Sequence, residues 1–302
     1  MAQQRSTAAH QRTQTAWFFL TPMLAALLFI AAWPLLRTIA FSFTDANLSD
    51  LSTWKFVGIT NYSYLFEDPL WWRAVGNTLL FTFISVSLET ALGMVIALTL
   101  DTHLPGRGLL RAAVLIPWAI PTVVSAKMWG WMLHDLYGVV NFLLLSVGLI
   151  DRPWAWLADP SLSMAAIIMV DVWKATPFMA LLILAALQAL PLEIYEAARV
   201  DGIHPVKVFL YVTLPLIRPA LLVAVIFRGL DALRVFDIIY VLTGNNENIA
   251  TMSVYARQQL VDFQDIGFGS AAATSLFVIV AIMAMIVITL GRVNISLGGG
   301  ER

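Results

Sequence analysis

The chain has 302 residues, 60% of them hydrophobic and 12% charged, with a formal net charge of −1 and no cysteine. Soluble domains run near a quarter charged, so this composition excludes an ordinary soluble enzyme and implies an integral membrane protein in contact with lipid, which the long apolar runs below make all-α. The missing thiols exclude disulfide staples, thiol catalysis and Cys-ligated metal, and the near-zero charge argues against a nucleic-acid partner.

The first apolar stretch, Thr13 to Leu36, runs 24 residues without a charge, more than the roughly 20 a spanning helix needs. A cleaved leader has an apolar core of only about 7–15 residues. Trp17 to Phe43 is longer and carries Pro34 and Arg37, so residues 17–43 read as a retained first span after a tail of 1–16. A loop over 44–71 follows. Spans are then expected near 72–100, 109–132, 162–190, 214–243 and 268–291, which makes six. Residues 72–291 form one core, 292–302 a second tail. Disorder is expected at Gly298-Gly299-Gly300 and over the first 12 residues.

An even number of spans puts both termini on one side. With the termini cytoplasmic, the inner segments hold nine basic residues: Arg5, Arg12, Arg107, Arg111, Arg199, Lys207, Arg218, Arg292 and Arg302. The outer segments hold four, Lys55, Arg73, Arg152 and Arg257. The positive-inside rule therefore places both termini, and the loop at 191–213, in the cytoplasm. The outer loops 44–71, 133–161 and 244–267 carry Trp-rich segments such as Asp68-Pro69-Leu70-Trp71-Trp72 and Pro153-Trp154-Ala155-Trp156, as interfacial belts do.

Single charges break several spans. Charges at bilayer depth are costly and face a bundle interior or a water-filled cavity. In the fifth span Arg228, Asp231, Arg234 and Asp237 alternate in sign at spacing three, and residues three apart share a helix face. One reading is a self-neutralising ladder that locks helices together, in which Arg234 matters for assembly more than for substrate affinity. The other has these groups line a substrate path. Asp171 and Lys174, flanking Trp173, invite a pair of the same kind. Lys127 stands between Trp118 and Trp129. Aromatic faces and hydrogen-bonding groups suit a solute path, and Trp equally anchors interfaces; these residues join the candidate path, with Tyr240 at the far end of the fifth span. The partner of Glu89 stays open. Pro117, Pro121 and Pro177 are expected to kink their helices and release carbonyls, either into a cavity or for packing alone.

The polar stretch 191–213 reads as an elbow. Leu192 to Val200 is a good helix former with Pro191 suited to its first turn, and Asp201-Gly202 ends it. His204-Pro205-Val206 is expected to start a second short helix with Val206, Phe209, Leu210 and Val212 on its apolar side. Ala197 and Ala198 allow close approach by another protein, while Glu196, Arg199 and Asp201 supply directional polar contacts. A merely interfacial helix would display Lys and Arg alone.

This register, Glu196-Ala197-Ala198, Gly202 six residues after Glu196 and Leu214-Pro215 at the end, resembles the Glu-Ala-Ala loop of binding-protein-dependent ABC importers; Val212 stands where Ile is usual. Segments Phe56–Tyr62, Gly76–Leu79, Leu115–Pro121, Tyr137–Asn141, Trp173–Met179 and Phe236–Gly244 are similar to the carbohydrate-uptake branch, the larger maltose-permease-type and trehalose/alpha-glucoside permeases. After Gly244 the chain departs from that pattern, reading Asn245-Asn246-Glu247-Asn248 where further Gly and Pro are common. The resemblance implies a six-helix type I permease fold in a bacterial inner membrane and a carbohydrate cargo, such as trehalose or a maltose-like alpha-glucoside. It implies a second homologous permease subunit, two ATPase subunits and an extracytoplasmic sugar-binding protein as partners. It also assigns ATPase coupling to Glu196, Ala197, Ala198, Arg199, Asp201 and Gly202.

No Gly-Lys dipeptide occurs, so a phosphate-binding loop is absent. ATP and Mg are expected on the partner ATPase, no cofactor or metal on this chain, and no catalysis by it. The rival reading is an ion-coupled secondary carrier titrating Asp171 or Asp231. Such carriers usually show paired repeats within one chain, which this sequence lacks.

Overall fold

Backbone groups in hydrocarbon have no water to bond, so long apolar runs close their hydrogen bonds internally as helices. The computed structural model describes residues 2–102 and 106–290, with side chains over 14–102 and 106–289, and every regular element among them is helical. The 292–302 tail, with its expected glycine disorder, lies outside the described residues.

Helix α1 (Ala2–Leu27) continues through a π-helical turn at Leu28–Ala32 into α2 (Trp33–Phe41). The turn sits where Pro34 removes a backbone donor. Helix thus begins at Ala2, where the sequence suggested disorder over the first 12 residues. After α3 (Thr60–Glu67), α4 (Pro69–Asp101) starts at Asp68, whose side chain accepts from the Leu70 amide at 2.8 Å.

The third span is not continuous. Helix α5 (Arg107–Ala119) and α6 (Thr122–Met132) meet at 87°. Pro121 has no amide hydrogen and biases Ile120 to extended backbone, and Ile120 sits at ψ 134°. The short α7 (Val139–Ser146) precedes α8 (Ser163–Gln188), α9 (Leu192–Val200), α10 (Pro205–Val208) and α11 (Leu214–Leu233). The span expected over 214–243 also breaks: α11 stops at Leu233, and α12 (Asp237–Thr243) starts anew. Helices α13 (Met252–Arg257) and α14 (Ile266–Leu290) are the last among the described residues. Among the described residues five helices are long and apolar enough to cross a membrane, and the bent α5–α6 pair, counted as one broken span, brings the number to six.

Two compact units emerge, one of residues 1–67 and 256–275, the other of 68–255 and 276–302. In the first, Asn61 donates to the Ser42 and Thr44 carbonyls at 3.0 and 2.8 Å, and Ser42 Oγ meets Tyr62 Oη at 2.7 Å. Gly267 donates to the Ala46 carbonyl at 2.8 Å, and a Cβ there would lie 2.0 Å from the Thr44 carbonyl oxygen. No other residue fits.

The second unit has two apolar layers. Met94, Ala97 and Leu100 of α4 pack with Met179, Ile183 and Leu187 of α8 and Ile217 of α11, near the elbow. Phe81 and Val86 of α4 pack with Ile167 and Val170 of α8, Ile238 of α12, and Ile249 and Val254 at the opposite end. Between the layers lie three polar positions, one per helix: Glu89, Asp171 and Arg228.

Candidate functional site

Those three positions form a buried ion cluster. The Arg228 guanidinium donates from Nε to Glu89 Oε2 at 2.6 Å and from Nη2 to Glu89 Oε1 at 2.9 Å, a bidentate pair. Nη2 also reaches Asp171 Oδ2 at 2.5 Å, and Nη1 reaches Asp231 Oδ2 at 2.9 Å. Glu89 is fully buried and Arg228 nearly so, whereas the Asp231 side chain is 74% exposed. Arginine's planar fork suits such work, since it offers several donors in fixed directions and each carboxylate finds its own.

The ladder expected from spacing is therefore mostly not formed. Only its first rung, Arg228–Asp231, closes. Helix α11 ends at Leu233, so Arg234 lies beyond the last turn and donates only to the Leu230 carbonyl at 3.3 Å. The expected Asp171–Lys174 pair is also absent. Asp171 turns to Arg228, while Lys174 Nζ donates to the Ile120 carbonyl at 2.6 Å. That carbonyl is one released by the Pro121 break, so the proline does more than pack.

A cavity of about 830 Å³ opens against this cluster, within the roughly 300–1,000 Å³ typical of small-molecule sites. Both helix breaks form its wall: Ala119–Thr122 from one, Arg234–Asp237 from the other. Irregular backbone at membrane depth is tolerated where it lines such a space. Of the predicted path residues, Trp118, Asp171, Lys174, Arg228, Asp231, Arg234 and Asp237 line the cavity. Lys127, Trp129, Trp173 and Tyr240 do not: Lys127 is exposed elsewhere, Trp129 and Trp173 meet edge to face at 5.5 Å, and Tyr240 stacks on Phe236. Sequence reasoning missed Phe178, which stacks on Trp118 with centroids 5.6 Å apart and planes 14° from parallel. Its place four residues after Lys174, on the same helix face, was the available signal.

The elbow takes a different form from the expected pair of short helices. Helix α9 ends in a Schellman motif, in which Ile203 donates to the Ala198 carbonyl at 3.0 Å and Gly202 to that of Arg199 at 3.1 Å. Gly202 has φ +66°, the left-handed conformation that this cap requires and glycine adopts without strain. Helix α10 then does not stop. It passes through a π-helical turn at Phe209–Thr213 into α11, one helix over Pro205–Leu233. Tyr195 Oη meets Thr213 Oγ1 at 3.2 Å, tying α9 to this long helix. Ala198 is buried, while Glu196, Ala197, Arg199, Asp201 and Gly202 are exposed beside a bare apolar set that includes Leu192, Val200 and Tyr211.

Residues 89–293 match the model of the family described as binding-protein-dependent transport system inner membrane component. The chain is 41% identical over 288 residues to the trehalose/maltose transport system permease protein MalF of Thermococcus litoralis, covering 95% of this chain and 97% of that protein. It is 37% identical over 299 residues to the trehalose transport system permease protein SugA of Mycobacterium tuberculosis, at 94% and 95% coverage. At 37% over 264 residues it also resembles the sulfoquinovosyl glycerol transport system permease protein SmoG of Agrobacterium fabrum, covering 87% and 85%. Among solved structures, a chain of a bacterial ABC transporter that imports the acidic polysaccharide alginate superposes with a TM-score of 0.81, at 22% identity over 97% of this chain and 100% of that one. At that identity the likeness is one of fold.

Proposed function

The chain belongs to the binding-protein-dependent transport system inner membrane components, and from that premise we propose that it is one permease half of an ATP-driven importer passing an uncharged sugar through the cavity. The sugar is a disaccharide of the trehalose or maltose-like alpha-glucoside kind. Relatives with trehalose or maltose in their names support that class, and so does the wall chemistry. The stacked Trp118 and Phe178 present an aromatic face for C–H groups, and Asp231, Lys174 and Arg234 present groups for hydroxyls. Lys174, Arg228 and Arg234 equal Asp171, Asp231 and Asp237 in number along this wall, and Glu89 behind it takes two of the Arg228 donors. Such a site offers no excess positive charge to a phosphate or sulfonate.

Both termini and the elbow face the cytoplasm, where two ATPase subunits carry ATP and Mg. A second, homologous permease completes the path, and an extracytoplasmic binding protein delivers the sugar. The exposed face of α9, with Glu196, Ala197 and Arg199, is the ATPase contact. Force applied there passes through the Gly202 turn and the Tyr195–Thr213 contact into the helix Pro205–Leu233, about 40 Å long at 1.5 Å per residue. That helix carries Arg228 and Asp231 to the cavity. Nucleotide and loaded binding protein bias two states of one assembly, one open inward and one outward.

The observation that carries this reading is the continuity of elbow, long helix and cavity wall. Its test is the ATPase rate of the reconstituted complex with binding protein carrying trehalose, maltose or glycerol phosphate. Stimulation by a disaccharide alone is the expected outcome. Stimulation by glycerol phosphate alone, or solute uptake by this chain without an ATPase, would reject it.

A further inference from the structure

Opposite the elbow, residues 248–255 form a strap pinned from two sides. From α4, Arg73 Nη1 donates to Asn248 Oδ1 at 3.2 Å, and Asn77 Nδ2 donates to the carbonyls of Asn248 and Ala250, both at 3.0 Å. Thr78 Oγ1 accepts from the Met252 amide at 3.0 Å, and Tyr255 Oη donates to Asp68. On the other side Thr251, fully buried, donates from Oγ1 to the Val235 carbonyl at 3.1 Å. Val235 belongs to the 234–236 break and lines the cavity. Ile249, Met252 and Val254 are buried with it in the strap-end apolar layer or beside it. The tip that leads into the strap is polar, with Asn245, Glu247 and the first strap residue, Asn248, exposed.

We infer that Thr251 is a positioning residue that makes the strap and the cavity wall one mechanical body, so that an extracytoplasmic protein seating on the 245–248 tip acts directly on the break at Val235. Helix breaks leave carbonyls unbonded, and a buried carbonyl without a donor is costly; the Thr251 hydroxyl supplies that donor from the strap. The strap cannot shift relative to α4 without losing both Asn77 bonds, nor relative to the wall without losing the Thr251 bond. Pinned in this way, the tip moves only together with the wall. The inference rests on the importer reading given above.

The test uses the full importer with ATPase subunits and its loaded binding protein. Thr251→Val keeps the shape but removes the donor, and Thr251→Ser restores it. The stimulated-to-basal ATPase ratio should fall about three- to tenfold in Thr251→Val, the scale of one lost hydrogen bond, and recover in Thr251→Ser, with basal activity unchanged. Hydrogen exchange on the unsubstituted importer supplies an arm that needs no variant: binding protein should alter protection over 248–252 and 234–237 together. An unchanged ratio in assembled Thr251→Val, or a change in exchange at 248–252 with none at 234–237, overturns the inference. A complex with no basal ATPase activity at all would instead strike the importer reading.

Discussion

Arg228 spends four hydrogen bonds on three carboxylates, of the five N–H donors arginine possesses. Removing it strands Glu89 and Asp171 in the interior. Breaking a buried ion pair from one side costs about 3–5 kcal/mol, so Arg228→Leu should lower the thermal midpoint and the yield of monodisperse protein in detergent. Arg228→Lys should rescue little, because a point charge cannot span the bidentate geometry. Arg234→Ala should leave both quantities nearly unchanged, since Arg234 is exposed and bonds only a carbonyl of its own turn. The reverse ranking of Arg228 and Arg234 would restore the ladder reading. At the elbow, no atom lies within 4 Å of where a Cβ on Gly202 would sit. Gly202→Asp should therefore preserve insertion, while its side chain at φ +66° strains the cap by about 1–2 kcal/mol and alters the exposed face, with loss of ATPase copurification as the readout. Unimpaired copurification and uptake would remove the elbow from the coupling path.

The two broken spans share a design, in which a carbonyl freed by the break is taken up by a side chain from another element. Lys174 serves Ile120 and Thr251 serves Val235. Lys174→Met should leave the Ile120 carbonyl without its donor, at a cost of about 1–3 kcal/mol, read as a lower thermal midpoint in detergent; an unchanged midpoint would mean that water replaces the amine. Only one of these breaks was legible in the sequence. Pro121 announces the first, because a missing amide leaves the chain little choice. The second falls in Arg234-Val235-Phe236, with neither Gly nor Pro, and depends on a partner from residue 251. The elbow shows both sides. Gly202 marked the turn by its backbone preference. The run of α10 into α11 was hidden, since Leu214-Pro215 reads equally as a boundary and as a first turn. The charges were legible as a set and illegible as pairs. Spacing reveals neighbours three or four apart, whereas Glu89 and Arg228 are 139 residues apart.

At the scale of the molecule, two apolar layers hold one charged plane between them, and three helices each contribute to it. Synthesis delivers those helices in order, and 139 residues separate Glu89 from its counter-ion. At about 5–20 residues per second, the carboxylate waits roughly 7–28 s for its arginine. Asp171 arrives in the interval and adds a second negative group. Nascent chains halted before α11 should thus be held at the insertion machinery or destroyed by membrane proteases, and pulse-chase of a chain stopped at residue 210 should show rapid turnover that Glu89→Leu with Asp171→Leu slows. Equal lifetimes would mean that the lipid tolerates the orphaned acids. The lock that steadies the finished permease is, during its birth, an unpaid debt that the cell's insertion machinery must hold open.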